Sequence, residues 1–395
     1  MMTRRDFLAS SAAPLLLAAT GPAGAAVSSD TMQDELIAVP GKRPLIKRSF
    51  RPLNLETPLA DLRQPFTANE SFFVRYHLSG VPEINPRTWR LRVHGASTRQ
   101  TLDLSLDELR RDFEQVSVAA VNQCSGNRRG LFTPRVPGVQ WAHGAIGNAM
   151  WTGVRLRDVL RRAGVRGDAV EVVLDGADTG LLSTPDYVKS LPVERALDEN
   201  TLIAFEMNGR PLPHLNGAPA RLVVPGWTAT YWMKHLTEIR IEPKPFEGFW
   251  MKSGYRLPTG AFPGARFASQ ETPETTPITE ILVNSLITSH VSGDRIPRGK
   301  PQDLIGWAWD GGSGIAGVEV SRDSGRTWRQ TVLEKDLGRF AWRGFRVPLD
   351  TSRVGKIELQ VRAVTRAGAQ QPPRLTVNPA GYHHNAIQAL TLEIV

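Results

Sequence analysis

The sequence predicts an α+β domain followed by an all-β, immunoglobulin-like sandwich domain. The chain has 395 residues, of which 41% are hydrophobic, so it is longer than one ordinary domain and can fill two cores. Strand and helix patterns are mixed in the first part, whereas short strand-like runs separated by turn signals recur towards the C-terminus. About seven such strands in roughly 120 residues are typical of a sandwich. We place the domains at 27–268 and 279–395, joined by a linker at 269–278 that is rich in Pro, Thr and Glu.

The charge of the chain indicates an anionic partner. The formal net charge is +9 at pH 7, from 48 Lys and Arg against 39 Asp and Glu. Such an excess can serve nucleic acid, a membrane surface or an anionic small molecule. The basic residues are scattered, and the sequence has no helix-turn-helix, RNA-binding or zinc-finger signature. We therefore expect a small oxyanion as the partner and no nucleic acid.

Residues 1–26 have the features of a twin-arginine export signal. Arg4 and Arg5 precede a short apolar stretch that ends in small residues near Ala25 and Ala26. The stretch is too short for a permanent membrane helix, so we expect no membrane span. Twin-arginine export carries folded proteins, which predicts a periplasmic protein that leaves the cytoplasm already folded. An extended, Pro-rich surface arm is expected at 27–62.

Residues 70–78 have the composition of a strand. Residues two apart on a strand share a face. Arg75 and His77 should therefore project together towards one site, while Tyr76 points away.

The only cysteine of the chain, Cys124, follows an apolar, β-branched run and enters a turn of small and polar residues. A lone cysteine is most often a small buried hydrophobic residue. Here Arg128 and Arg129 follow within five positions, and nearby cations favour the thiolate over the thiol. A thiolate at a rigid strand end can bind a soft transition metal whose other donors come from a cofactor. Cys124 is therefore the candidate metal ligand.

Other elements are predicted from periodicity. Strands are expected at 89–95 and 169–174, a short helix should begin at Leu106, and apolar residues at helical spacing predict a helix over 151–160. The segments between them are rich in turn residues.

Three motifs are rejected as sites. Gly312 to Gly317 fits G-x-G-x-x-G, but strand-like sequence follows where a dinucleotide site needs a helix. His383 and His384 are adjacent, so on a strand they face opposite ways. No Cys-x-x-Cys-His motif occurs, so we expect no haem in this chain.

The segment VNQCSGNRRG, residues 121–130, resembles the cofactor-ligand segment of the sulfite oxidase family of molybdenum enzymes. Further stretches match in the same order, so the resemblance covers nearly the whole mature chain. In that family a single cysteine thiolate binds the molybdenum of a molybdopterin cofactor. The resemblance therefore implies a molybdenum–molybdopterin cofactor on Cys124, a family catalytic domain and a C-terminal dimerisation domain.

The resemblance also implies the residues that surround the substrate. Arg75 and Arg129 would meet an oxyanion, Trp141 would wall the pocket, and the hydroxyl of Tyr255 would face the metal or the substrate. An arginine from the C-terminal domain would correspond to Arg343. The implied catalytic residues are Cys124, Tyr255, Arg75, Arg129, His77, Trp141 and Arg343.

The pterin contacts are implied in the same way. Arg221 and Lys234 are the expected partners of the cofactor phosphate and pterin, as a planar fork and a point charge. Asp175 is an alternative to Asp178, and His214 is an alternative to Asn216, because animal members have His where Asn216 stands. The implied pterin-binding residues are Tyr76, His77, Leu78, Cys124, Asp178, Asn216, Arg221, Trp232, Met233 and Lys234.

The resemblance, together with the export signal, implies an exported sulfite dehydrogenase that passes electrons to a c-type cytochrome. Its assembly would be a homodimer, or a heterodimer with a cytochrome subunit. One alternative keeps the cofactor and changes the substrate to sulfane sulfur or methionine sulfoxide. Another is a non-catalytic exported binding module, which would contain no metal.

Overall fold

The computed structural model describes residues 34–258 and 275–395. The predicted export signal lies outside these residues, as does the first part of the predicted linker. Residues 35–395 belong to one unit.

Strands dominate the first part of the described chain, and its four helices are short. The helices are α1 (Leu106–Asp112), α2 (Leu156–Ala163), α3 (Val193–Ala196) and α4 (Phe249–Lys252), with 3-10 turns at Leu59–Leu62, Arg129–Leu131, His214–Asn216 and Ala229–Tyr231. The strands are β1 (Leu36–Ile37), β2 (Leu45–Ser49), β3 (Asn54–Glu56), β4 (Val74–Arg75), β5 (Leu91–His94), β6 (Leu102–Leu104), β7 (Gln115–Gln123), β8 (Ile146–Arg155), β9 (Glu171–Gly176), β10 (Lys189–Pro192), β11 (Leu202–Met207), β12 (Arg210–Pro211), β13 (Arg221–Val223), β14 (Leu236–Glu242) and β15 (Arg256–Pro258).

The second part contains strands only, within residues 275–395. They are β16 (Thr275–Pro277), β17 (Asn284–Ile287), β18 (Arg295–Ile296), β19 (Gln302–Trp309), β20 (Ile315–Ser321), β21 (Arg329–Gln330), β22 (Val332–Leu333), β23 (Arg343–Leu349), β24 (Gly355–Thr365) and β25 (Gln388–Ile394). The described protein is therefore mostly β with few helices.

Residues 34–62 do not form the surface arm that was expected. β1, β2 and β3 pair in order and β3 pairs with β4, which gives a four-stranded antiparallel sheet. Leu45, Leu55 and Leu62 are fully buried. The prolines that suggested an irregular arm lie in the turns between these strands, and the apolar residues between them are enough to bury one face.

The predicted helix start at Leu106 is confirmed. Ser105 accepts a hydrogen bond from the Glu108 amide at 3.1 Å, and the Glu108 carboxylate accepts one from the Ser105 amide at 2.8 Å. This reciprocal cap satisfies two amides that a helix start leaves free. Leu109 then anchors α1 in the core.

The helix predicted over 151–160 is wrong in its first half. β8 runs through Trp151 to Arg155, pairing with β7 on one side and β11 on the other, and α2 begins only at Leu156. Trp151 and Val154 are fully buried. A central strand covered on both faces loses the two-residue alternation, so its apolar residues can imitate helical spacing.

The C-terminal part is built from two sheets that share one core. One sheet has the order β17-β19-β23-β22 and the other β18-β25-β24-β20-β21. Leu304 and Phe345 of the first sheet pack with Val318, Val361 and Leu392 of the second. β16 lies outside this sandwich and pairs with β15, so residues 275–277 of the predicted linker form a strand against the first part.

The two parts meet at an apolar interface that lies on β7 and β8. Trp307, Trp309 and Trp342 cluster with Val121 of β7 and Ile146 of β8. The Trp309 indole donates to the Gln123 side chain at 2.6 Å, next to Cys124. The strand that carries the cysteine is therefore held from both parts. In the described part of the chain, no helix has the length and apolar character needed to cross a membrane.

Histidines close to this interface should make the fold sensitive to acid. Burial, with smaller contributions from Arg128 and His384, lowers the pKa of His143 to about 3. In the unfolded chain a histidine titrates near pH 6.5, so below that pH the unfolded state binds more protons than the folded state. The unfolding free energy should therefore fall as the pH is lowered from about 6.5 towards 3.

Substituting His143→Asn removes the extra proton that the unfolded state binds at this residue. The slope of the unfolding free energy against pH should therefore decrease by up to about 1.4 kcal/mol per pH unit. Urea unfolding between pH 4.5 and 7.5 measures this difference. The comparison at pH 7.5, where both side chains are neutral, isolates the packing effect of the substitution. Identical pH slopes for the two proteins would contradict the prediction.

Candidate active site

Cys124 lies where the β7–β8 ladder ends. Its amide donates to the Ala145 carbonyl at 3.0 Å, which extends the ladder by one pair beyond Gln123. Its own carbonyl accepts the Asn127 amide at 2.9 Å, which starts the turn that follows. The cysteine is free and only 6% exposed. The backbone thus fixes the direction of the thiol towards an adjacent cavity.

That cavity collects residues from many separate segments. It brings together most of the residues predicted from the sequence. Those that line it are Arg75, Tyr76, His77, Cys124, Asp178, Asn216, Arg221, Trp232, Met233, Lys234 and Tyr255.

Four predicted residues do not line the cavity: Leu78, Trp141, Arg343 and Arg129, whose place just behind the wall is described below. Leu78 is buried in the core, and Trp141 is fully buried behind the lining residue Phe73, with ring centroids 6.4 Å apart. Arg343 does not reach the cavity. Its guanidinium donates to two carbonyls of the C-terminal part and lies 3.6 Å from the Asp336 carboxylate. β23 turns this side chain towards its own sandwich, which the sequence around Ala-Trp-Arg could not show.

The two arginines after Cys124 point in different directions. Arg128 has a left-handed backbone conformation (φ 67°), and its buried guanidinium donates to the Asn284 side chain and the Ser285 carbonyl at 2.9 and 2.8 Å. Arg129 stays on the cavity side, where its charge lowers the pKa of Tyr255 against the larger effect of burial. Arg128 therefore links the first part to the C-terminal part, and Arg129 lies close enough to the site to act on Tyr255.

The Arg129 guanidinium is held by carbonyls and glycines just behind the cavity wall. It donates to the Ala380 and Val139 carbonyls at 2.9 and 3.3 Å. A Cβ at Gly126 or Gly138 would lie 2.6 or 2.9 Å from a guanidinium nitrogen, so both positions require glycine for this packing. The surrounding backbone fixes the group without neutralising its charge.

His77 and Tyr255 form a hydrogen-bonded pair at one end of the cavity. His77 Nε2 contacts the Tyr255 hydroxyl, and the imidazole stacks on Tyr187 with centroids 3.6 Å apart. Burial, together with Arg75, lowers the pKa of His77 well below its usual value. Burial raises the pKa of Tyr255, and Arg75 opposes this. His77 is therefore neutral and Tyr255 protonated near neutral pH.

The cavity wall also carries two buried cations, Arg221 and Lys234. Burial lowers the pKa of Arg221 to about 9 and that of Lys234 well below its usual value, although Asp178 opposes the second shift. Two nitrogens of Arg221 donate to the Asn216 and Trp232 carbonyls at 2.9 and 3.0 Å. Lys234 Nζ lies 2.9 Å from the centroid of the Tyr76 ring.

The structure separates the alternatives that the sequence left open. Asp178 lines the cavity, whereas Asp175 does not, and burial raises the pKa of Asp175 to about 7. Asn216 also lines the cavity, whereas the His214 ring faces His235 at 5.5 Å.

Several residues of the site gave no recognisable sequence signal. Lys42 donates to the Asn69 and Phe72 carbonyls and to Asn216 Oδ1 at 2.6–2.9 Å. Tyr187 lines the cavity beneath His77. Lys42 stood in the segment expected to be a surface arm, and Tyr187 in a turn-rich region, so only the tertiary structure brings them here.

The charge balance of the site shows what it can hold. Within residues 34–258 and 275–395, no carboxylate forms an ion pair with Arg75, Arg129, Arg221 or Lys234. The same residues contain no group of three His, Cys, Asp or Glu side chains that could bind a metal alone. A metal at Cys124 must therefore bring most of its donors with it.

Unpaired polar atoms in the cavity wall fit an anionic, polar cofactor. Lys234 Nζ, Arg221 Nε, Asn122 Nδ2 and Ser125 Oγ are buried without hydrogen-bond partners in the described structure. Buried polar groups are normally paired, so several orphan donors at one cavity indicate a ligand that completes them. A phosphate-bearing organic cofactor with a single thiolate ligand fits this set.

Two family models match the chain and define its class. The oxidoreductase molybdopterin binding domain matches residues 77–250, and the Mo-co oxidoreductase dimerisation domain matches residues 275–393. The protein is thus a molybdopterin oxidoreductase with a dimerisation domain.

The relatives specify the family. Sulfite oxidase of Gallus gallus is 35% identical over 354 residues, covering 86% of this chain and 76% of that protein. Mitochondrial sulfite oxidase of Homo sapiens is 36% identical over 329 residues, covering 80% of this chain and 58% of that protein. The chain belongs to the sulfite oxidase family, and it spans a little over half the length of the human protein.

A solved structure agrees over nearly the whole length. The sulfane dehydrogenase SoxCD from Paracoccus pantotrophus matches with a TM-score of 0.74 and 27% identity, covering 93% of this chain and 92% of the matched chain. The arrangement of both parts is therefore shared with that enzyme.

Removing the unpaired amine of Lys234 should separate folding from cofactor binding. A buried, unsatisfied donor costs about 1–3 kcal/mol, so Lys234→Met should raise the unfolding free energy of the cofactor-free protein by about that amount. The same substitution should lower the molybdenum content of protein matured with cofactor, because a cation of the site is lost. Urea unfolding and metal analysis measure the two effects.

Lys42→Met is the matched control. Its amine is fully paired, so the substitution leaves three acceptors unsatisfied and should destabilise the cofactor-free protein. Destabilisation of the same size in both variants would show that Lys234 has no special relation to a ligand.

Proposed function

We propose that this protein oxidises sulfite to sulfate in the periplasm, using a molybdenum–molybdopterin cofactor held by Cys124, and passes the electrons to a c-type cytochrome. One observation supports this above the others: a buried cysteine faces a cavity lined by Arg75, Arg221 and Lys234, and none of these forms an ion pair with a carboxylate within residues 34–258 and 275–395. A site of this kind is completed by an anionic cofactor and an anionic substrate.

When bound, the molybdenum cofactor supplies oxo transfer and takes up two electrons. Sulfite and water then give sulfate, two protons and two electrons. Cys124 is the protein ligand of the metal. Lys234 Nζ and Arg221 Nε, both unpaired in the cavity wall, would hold the pterin and its phosphate, with Asp178 nearby.

Arg75 and Arg129 attract and orient the oxyanion. Both side chains act electrostatically on Tyr255, which lies among the lining residues with Cys124. Fixed positive groups in a dry cavity stabilise an anion far more than the same groups would in water. Because carbonyls and glycines fix Arg129, little reorganisation is needed when the anion binds.

His77 and Tyr255 form a neutral, hydrogen-bonded pair in the cavity wall. The Tyr255 hydroxyl and His77 Nε2 share a hydrogen bond, and the imidazole is neutral near pH 7. Because burial disfavours a charge on either ring, the pair presents a neutral, oriented hydroxyl to the site.

The choice of sulfite rests on the relatives together with the arginines. Sulfite oxidases match at 35–36% identity, and the Cys-Ser-Gly-Asn-Arg-Arg segment keeps an arginine at position 129. The close structural match to a sulfane dehydrogenase supports sulfane sulfur as a second candidate substrate. A homodimer is the expected assembly, with a heterodimer containing a cytochrome subunit as the alternative.

The first test is metal analysis and turnover of the exported protein. Near-stoichiometric molybdenum with sulfite-dependent reduction of both ferricyanide and cytochrome c would support the proposal. Molybdenum with turnover of thiosulfate alone would shift the substrate to sulfane sulfur. A properly matured, metal-free protein would overturn the enzyme proposal.

Substituting Arg129→Met should raise the KM for sulfite at least about 30-fold, equivalent to ~2 kcal/mol, because a desolvated charge contact to the anion is lost. Molybdenum content should stay unchanged. Cys124→Ala should abolish turnover. Steady-state kinetics with ferricyanide, normalised to molybdenum, measures each variant.

Arg343→Met is the matched control for Arg129. Its guanidinium is bound within the C-terminal part, so the KM should stay within about twofold of the native value. Equal increases in KM for the two arginine variants would show that net charge, not position, controls affinity.

A further inference from the structure

One segment of the C-terminal part, residues 378–384, lies directly on the turn that follows Cys124. The Ala380 carbonyl accepts from Arg129 Nε at 2.9 Å, and the His383 amide donates to the Ser125 carbonyl at 3.2 Å. Gly381 has a positive φ of 62°, and a Cβ there would lie 2.8 Å from Arg129 Cγ. The segment is therefore fitted to the backbone and side chains of the site.

Tyr382 stands at the centre of this segment and contacts two residues of the site. Its ring stacks on Tyr255, with centroids 5.5 Å apart and an interplanar angle of 23°. The Arg129 guanidinium carbon lies 5.0 Å from the centroid of the same ring. Tyr382 therefore contacts both Arg129, the proposed anion-binding group, and Tyr255, whose hydroxyl pairs with His77.

The backbone of Tyr382 is itself fixed. The side chain of Asn378, which is buried, accepts from the Tyr382 amide at 3.0 Å and donates to the Tyr382 carbonyl at 2.8 Å. A ring held in this way can restrict a neighbouring guanidinium, which has many alternative rotamers, to one position.

We propose that Tyr382 is a positioning residue of the oxyanion site, through which the C-terminal part controls affinity for the anion. The ring orients the Arg129 guanidinium on one side and the Tyr255 phenol on the other. This role rests on the proposed oxyanion substrate, and it predicts that the aromatic ring, not its hydroxyl, is the required feature.

The test compares exported, cofactor-loaded variants. Tyr382→Leu should raise both the KM for sulfite and the Kd for inorganic sulfate about tenfold, because the cation–π contact and the stack are lost together. Its kcat and molybdenum content should change less than about twofold. Tyr382→Phe should restore both affinities. Kinetics, calorimetric titration with sulfate and metal analysis provide the three readouts.

A matched control removes a similar contact elsewhere in the same part of the chain. Arg362 lies 4.0 Å from the centroid of the Trp328 ring, away from the site. Trp328→Leu should leave the KM and the sulfate Kd unchanged. On an Arg129→Met background, Tyr382→Leu should add little further loss, because its effect is exerted largely through that arginine.

Three results would overturn the inference. They are unchanged affinities in Tyr382→Leu, equal losses in the Leu and Phe variants, and a fall in molybdenum content that accounts for the loss of activity. Failure of the proposed function is distinguishable, because it would appear as absent sulfite turnover in the native protein. The sulfate titrations would still report on Tyr382 in that case.

Discussion

Positive charge buried without an ion-paired carboxylate, within the part of the chain that the structure describes, is the constraint on which the rest of this structure depends. Arg75, Arg221 and Lys234 line one cavity, and Arg129 lies just behind its wall. Desolvating such groups costs free energy, which is visible in the lowered pKa of Arg221 and Lys234. The fold can keep them only because the surrounding core is large and rigid. An anion that enters the cavity recovers interactions that folding alone leaves unmade.

A single protein ligand to a metal requires that its backbone does not move. Cys124 meets this requirement because β7 is held in the middle of the molecule: β8 pairs along its length, and the C-terminal part packs on it through Trp309 and Phe340. The left-handed conformation at Arg128 then separates two consecutive arginines. Arg128 bonds to the C-terminal part, whereas Arg129 lies beside the site. The local backbone conformation therefore gives two adjacent arginines different roles.

The sequence predicted the centre of the site better than its surroundings. The cysteine at a strand end and the helix start at Leu106 follow from short-range rules, because each depends on one strand or one cap. The strand predicted over 70–78 is wrong beyond Val74–Arg75: Arg75 and His77 do line one cavity, but Tyr76, expected to point away, lines it too. Residues 34–62 form a sheet, and residues 151–155 form a strand, only by pairing with segments distant in the chain. Local composition therefore predicted a surface arm and a helix there instead. The position of Arg343 and the approach of Tyr382 depend on how one part docks against the other, which no periodicity encodes.

Hydrogen-bond accounting distinguishes the residues that shape the cavity from those that can bind its contents. Asn216 has its carbonyl oxygen paired with Lys42 and its amide with the Phe73 carbonyl, so it has little capacity left for a ligand. Tyr76 is similarly engaged: His235 Nδ1 must donate to the Ala218 carbonyl, so its Nε2 accepts from the Tyr76 hydroxyl at 2.8 Å. Lys234 Nζ and Arg221 Nε remain unpaired. The binding energy for an anionic cofactor must therefore come chiefly from these cations and Cys124, while Asn216 and Tyr76 fix the walls against which it lies.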